Sequence, residues 1–213
     1  MTSAERNRGR PRKGDEQDTD TLLEAALTSF AEHGFDKTPL RLIATRAGVD
    51  VALISYRYGS KFGLWEAVVR SVSDDSRLQA AEFMRQAEDL PQEHRLPFIS
   101  THLVDLIFQL PAFSRVLLTE LISNVSDDRK ELITEALLKP MHQTILVSLQ
   151  KMGLLADMEG EPDSGLSLMF AIGSVALISS ISTVAAALTN LEDDGPQFRE
   201  DLAKLLCRIL RQQ

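Results

Sequence analysis

Apolar residues recur at helical spacing along most of the chain. In "DTDTLLEAALTSFAEHGF", Leu23, Ala26, Leu27 and Phe30 fall at i, i+3, i+4 and i+7, which is one face of a helix. Thr19 or Asp20 can cap its start, and Gly34 can take the left-handed conformation that ends it. The next stretch, "KTPLRLIATRAGVDVALISYRYGSKFGLWEAVV", is finely punctuated. Thr38 is placed to be an N-cap, with Pro39 at the first helical position, where its missing N–H costs nothing. A short helix should run to Ala47, and Gly48 should turn the chain. Asp50 should cap a second short helix from Val51 to about Arg57. Gly59 and Ser60 end that helix, and Ser60 caps a longer one that begins at Lys61 and runs to about Leu90.

Beyond that point prolines divide the pattern. Pro91 and Pro97 are expected to bracket a break, followed by a helix over 98–110. Pro111 opens the next helix, and 127–153 reads as one long segment with Pro140 as a kink or a boundary. Residues 163–189 and 196–211 read as the last two helices. No stretch alternates like a strand, and no internal repeat is apparent. The expected fold is all-α.

Two short helices joined by a glycine turn form the helix-turn-helix pattern. Counted from Leu40, the fifth residue is the small Ala44, the ninth is Gly48 and the fifteenth is Ile54. A small residue at the fifth position lets the helices approach closely. Ile43, Ala47, Val49 and Ile54 make the apolar side, and the motif spans about 39–58.

Charge sharpens the reading. The 213 residues carry a formal net charge of −8, yet residues 1–13 and 37–61 each carry +4 and residues 71–213 carry −9. Such asymmetry points to a polyanion partner for the basic parts. Residues 1–17 hold almost no apolar side chain and are expected to be a disordered basic arm. Arg8, Arg10 and Arg12 lie in "RGRPRK", whose Gly-Arg-Pro core resembles an AT-hook: arginine could enter an A·T-rich minor groove. A generic phosphate-binding tail fits the same residues.

The single cysteine, Cys207, cannot form an internal disulfide, and the N-terminal charges have no apolar segment behind them. Both features lead us to expect a cytoplasmic protein, with Cys207 a small buried residue of the last helix. The stretch 164–191 has no charged residue and is long enough to span a bilayer. Its serines and missing basic flank favour instead a helix buried in a subunit interface. His33 should sit at a helix C-terminus. His94, His102 and His142 share no metal-ligand spacing. No nucleophile motif, phosphate loop or Glu-x-x-His pair appears, so neither an enzyme nor a cofactor is expected.

Residues 19–70 resemble the DNA-binding domain of the TetR (tetracycline-repressor) family of bacterial regulators. The resemblance rests on "LLEAALTSFAEHGF", "TPLRLIATRAGV" and "ISYRYGSKFGLWEAVV". It implies about nine helices, with the helix-turn-helix domain over 18–64 and a helical ligand-binding and dimerisation domain over 65–213. The protein would be a homodimeric, sequence-specific repressor of a palindromic operator, released by a small apolar or aromatic effector. A DNA-binding regulator without ligand response shares every N-terminal feature. By position, Val51, Ala52 and Ser55 would face base edges, and Arg41 would reach a base or a phosphate. Thr38, Leu40, Leu53, Tyr56, Arg57 and Lys61 would stand at the DNA backbone. Phe83, His102, Phe108, Phe113, Met141 and Phe170 are the candidate lining of a ligand pocket. The helices over 163–189 and 196–211 would pair with their symmetry mates, the last through Leu202, Leu205, Leu206, Ile209 and Leu210. The chain departs from the family pattern at Asp50, Val51, Ala52, Arg57 and Tyr58. It departs again at Phe62 and Gly63, which leave Ser60 without an acidic capping-box partner.

Overall fold

In the computed structural model, which describes residues 13–122, 127–155, 163–189 and 191–211, every regular element is helical. The chain divides into two compact units, residues 1–68 and 69–213.

The first unit contains α1 (Lys13–His33), α2 (Leu40–Ala47), α3 (Val51–Tyr58) and the start of α4 (Lys61–Glu88). The α1 helix starts at Lys13, ahead of the expected cap at Thr19 or Asp20. The face of α1 that is fully buried comprises Leu22, Ala25, Ala26, Ser29 and Phe30. Leu23 and Leu27 are half-buried beside it, so the apolar stripe is rotated slightly from the expected one. Phe30 stacks on Phe35 at a centroid distance of 5.4 Å and meets Trp65 edge-on at 5.4 Å. Ile43, Ala44, Ile54, Leu64 and Trp65 complete this small core.

The turns of this unit use the glycines as the sequence suggests. Gly48 is left-handed at φ 69°, and its N–H bonds back to Ala44 and Thr45. The Asp50 carboxylate accepts the Ala52 N–H at 2.7 Å, which caps α3. Thr38 corrects an expectation. The residue before α2 is Pro39, with no side-chain cap. The Thr38 hydroxyl is instead fully buried and donates to the Ser29 and Gly34 carbonyls at 3.2 and 2.6 Å. It ties the end of α1 to the start of α2.

The turn from α3 into α4 explains a departure from the family pattern. Ser60 Oγ accepts the Gly63 N–H at 3.0 Å, so Ser60 caps α4 without an acidic partner. At Gly63 a Cβ would lie 2.1 Å from the Tyr58 carbonyl oxygen, a backbone atom that cannot swing aside.

The second unit contains the rest of α4, then α5 (Gln92–Phe108), α6 (Pro111–Ile122), α7 (Asp127–Ile133), α8 (Lys139–Lys151), α9 (Ser164–Ser180), α10 (Ser182–Thr189) and α11 (Pro196–Arg211). Helix α5 packs along α11 and α9 around Ile99, Leu103, Leu168, Ala171, Leu206 and Leu210. Cys207 is buried there. Pro97 lies inside α5 and breaks nothing. It removes one bond, to the carbonyl of Glu93, in an exposed first turn where water can satisfy that group. Pro140 is accommodated differently. A wide π-turn, Thr134–Leu138, precedes it, and the Lys139 N–H reaches back to the Thr134 carbonyl. Widening the turn relieves the clash a proline ring makes with a helical carbonyl.

Two expectations for the C-terminal helices are corrected. The segment 163–189 is not one helix: it breaks at Ile181, and α10 leaves α9 at 88°. Among the described residues no single helix is long and apolar enough to cross a membrane. Helix α11 does not reserve its apolar face for a partner, because Leu202, Leu206 and Leu210 are buried within their own unit. Only Leu205 is exposed, with Ile209 half-exposed, amid Glu200, Lys204 and Arg208. A buried ion pair joins α6 to α7, with Arg129 Nε 3.1 Å from Glu120 Oε2.

Gly63→Ala should lower the unfolding free energy by about 1–3 kcal/mol. Urea denaturation followed by fluorescence reads this directly, because the only tryptophan, Trp65, lies in the affected unit.

Candidate nucleic-acid interface

Helix α3 is eight residues long and has one fully buried side chain, Ile54. The opposite side carries Val51, Ala52, Ser55 and Tyr56, all exposed. Tyr56 is 89 % exposed, an unusual position for an aromatic ring without a partner to cover it. Leu53 and Tyr58 are half-buried on the flanks. Burial pushes the Tyr58 hydroxyl above its ordinary range, against the opposing pull of Arg57. The outward face therefore offers two methyl-bearing side chains, a hydroxyl and a phenol. Such groups can meet thymine methyls and base edges in a major groove.

Around this face the cations differ in how free they are. Arg41 is exposed on α2, and no partner for its guanidinium is found among the described residues. Lys37 is likewise exposed. Arg46 is engaged by Glu32 at 2.6 Å and by Ser29 Oγ at 3.1 Å, which clamps α2 to α1. Arg57 donates to Thr19 Oγ1 at 3.1 Å. The Lys61 ammonium donates to the carbonyls of Phe35 and Asp36 at 2.9 and 3.1 Å and sits 4.6 Å from the centre of the Phe35 ring. It thus holds the loop that follows α1. Leu40 is half-buried at the start of α2, and Thr38 is buried, with no hydroxyl to offer a phosphate. Arg8, Arg10 and Arg12 lie outside the described residues.

The six residues expected to line a ligand pocket separate in the second unit. Phe113 and Met141 line an apolar cavity of about 130 Å³. Phe83 and His102 border an open polar groove with Glu82 and Asp105. There the His102 Nδ1–H donates to the Phe98 carbonyl at 2.8 Å. Hydrogen bonds from Arg85 and Gln86 hold the Glu82 carboxyl down at about 2, so the groove keeps its negative charge. Phe108 packs edge-on to Phe198 with Arg199 over its ring and lines neither space. Phe170 is 66 % exposed and is not a pocket wall; it stands on an outward stripe of α9 with Leu166, Met169 and Leu177. The cavity residues that the sequence reading missed include Ser76, Leu103 and Ser114. Nothing in their spacing distinguishes them from ordinary core positions.

Residues 22–68 match the family described as bacterial regulatory proteins, tetR family. The match covers the helix-turn-helix unit, 47 of the 213 residues. The chain is 30 % identical over 90 residues to the HTH-type transcriptional regulator BetI of Burkholderia thailandensis, covering 42 % of this chain and 46 % of that protein. A BetI protein of Chromohalobacter salexigens is 33 % identical over 73 residues, covering 34 % and 36 %. The matches thus span about half the length of the curated relatives or less. Among solved structures, FadR from Bacillus subtilis in complex with stearoyl-CoA aligns with a TM-score of 0.68 at 17 % identity, covering 90 % of this chain and 96 % of that one. The fatty acid degradation regulator FadR from Bacillus halodurans aligns at 0.66 and 18 %, covering 90 % and 97 %. At such identity the likeness concerns the all-helical fold alone.

Lys61→Ala should cost about 1–2 kcal/mol of stability through the lost charge-assisted bonds to Phe35 and Asp36. Thermal unfolding followed by Trp65 fluorescence would detect it.

Proposed function

We propose that the protein is a sequence-specific DNA-binding transcriptional regulator. It acts as a homodimer on a palindromic operator and lets go of DNA when a small molecule occupies the second unit. The observation that carries this reading is the exposed quartet Val51, Ala52, Ser55 and Tyr56, held outward by the burial of Ile54. A short helix with one anchored side and one bare side suits insertion into a major groove. Arg41 beside it would take a phosphate or a guanine edge. The basic arm with Arg8, Arg10 and Arg12 would follow the backbone or the minor groove next to that helix. The family relationship and the regulator relatives support the same reading.

One helix of this length reads few bases. Two copies held about one DNA turn apart, roughly 34–36 Å, would read a palindrome. The outward stripe of Leu166, Met169, Phe170 and Leu177 on α9, with Val184 and Leu188 on α10, supports pairing through the 163–189 segment. A repressor role with effector release is the family's usual mode, and the apolar cavity supports an effector of matching character. An effector shifts the equilibrium only if it binds one state better than the other.

Two measurements test the reading. Arg41→Ala should weaken binding to an operator selected from random DNA and reduce the slope of log K against log salt by about 0.9. The same slope for variant and parent would remove Arg41 from the interface. A Met169→Asp/Phe170→Asp double variant should sediment as a monomer where the parent is a dimer. It should also lose at least about tenfold in operator affinity, since half the paired contacts are gone.

A further inference from the structure

The cavity in the second unit carries a chemical signature in its wall. Its sides come from α5, α6, the π-turn before α8, α8 and α9, with Ser76 contributed by α4. The lining is largely aliphatic, with Leu103, Leu106, Leu117, Leu137, Ile145 and Ile172 among it, and it contains no charged residue. The volume, about 130 Å³, is close to that of the ~150 Å³ Leu/Ile/Phe-lined cavity that stays dry and binds benzene. Two polar groups interrupt the apolar wall. Ser76 and Ser114 are each more than nine-tenths buried. Neither hydroxyl has a hydrogen-bond partner among the described residues. Two hydroxyls on the wall of one apolar space can offer hydrogen bonds to a polar atom placed there.

We propose that this cavity receives a small uncharged molecule, a single ring or short branched chain bearing one hydroxyl or carbonyl, and that Ser76 and Ser114 bind its polar atom. The assignment of this molecule as effector rests on the ligand-responsive reading above; its binding does not. The same wall excludes other classes. A carboxylate would enter without a cation to meet it, at a prohibitive desolvation cost. The phosphates of a coenzyme A thioester would find no basic group in the lining. The acidic groove beside Glu82 and Asp105 is a separate space with the opposite chemistry.

The test uses the full chain and para-cresol as probe, with toluene, benzoate and octanoyl-CoA as comparisons, by titration calorimetry and thermal shift. Para-cresol should bind once per chain and raise Tm, and benzoate and octanoyl-CoA should do neither. Ser76→Ala and Ser114→Ala should each weaken para-cresol by about three- to tenfold, the worth of one hydrogen bond, and leave toluene unchanged. Ala176→Leu, which fills the cavity from α9, should abolish binding of both. Benzoate or octanoyl-CoA binding as tightly as para-cresol would overturn the proposal, as would parent-like para-cresol binding by both serine variants. Operator release is read separately. Para-cresol binding without release supports the cavity assignment and sinks the ligand-responsive reading. Release by a compound whose effect survives Ala176→Leu overturns the cavity assignment and leaves that reading standing.

Discussion

The burial of Ile54 is the constraint on which the N-terminal unit depends. A peptide of eight residues has no stable helix of its own, because nucleation costs more than so few hydrogen bonds return. Helix α3 therefore persists only where tertiary packing holds one side of it. Ile54 reaches a core built from Phe30, Ile43, Leu64 and Trp65, and the Asp50 cap fixes the helix start. The price is that the side opposite Ile54, with Val51, Ala52, Ser55 and Tyr56, is left to solvent. A bare face of small and aromatic side chains is thus a consequence of how short the helix is, and it is also the face a groove would require.

Around that face formal charge and available charge part company. The sequence counts five cations over residues 37–61. The structure engages Arg46 with Glu32, Arg57 with Thr19 and Lys61 with two carbonyls, so three of the five already have work in holding helices together. Arg41 and Lys37 stay exposed. This difference was not legible in the sequence, because the partners lie 14 to 38 residues away. The turn chemistry was legible: Gly48, Asp50, Gly59 and Ser60 act locally, and local rules suffice for them. Thr38 shows the limit of such rules. Its type suits a cap, yet a buried carbonyl nearby offered its hydroxyl a better partner than the helix did.

The same contrast runs through the second unit. All-helical character was plain from periodicity, and the prolines were plain as punctuation, yet their consequences depended on surroundings. Pro97 sits where a lost bond faces water, so α5 continues. Pro140 sits where a wide turn can form, so the run continues there too. Residues 163–189 failed in the other direction: uninterrupted apolar character suggested continuity, and the chain bends at Ile181 among β-branched and serine residues that favour no single helix strongly. The apolar face of α11 was read correctly as a face and wrongly as a spare one, because a moment along one helix does not say which neighbour it meets.

The hollow between α5, α6 and α9 has a mechanical meaning as well as a chemical one. Side chains around it lack neighbours on one side, so their packing contacts are incomplete there. A molecule that filled the space would supply those contacts and stiffen the walls.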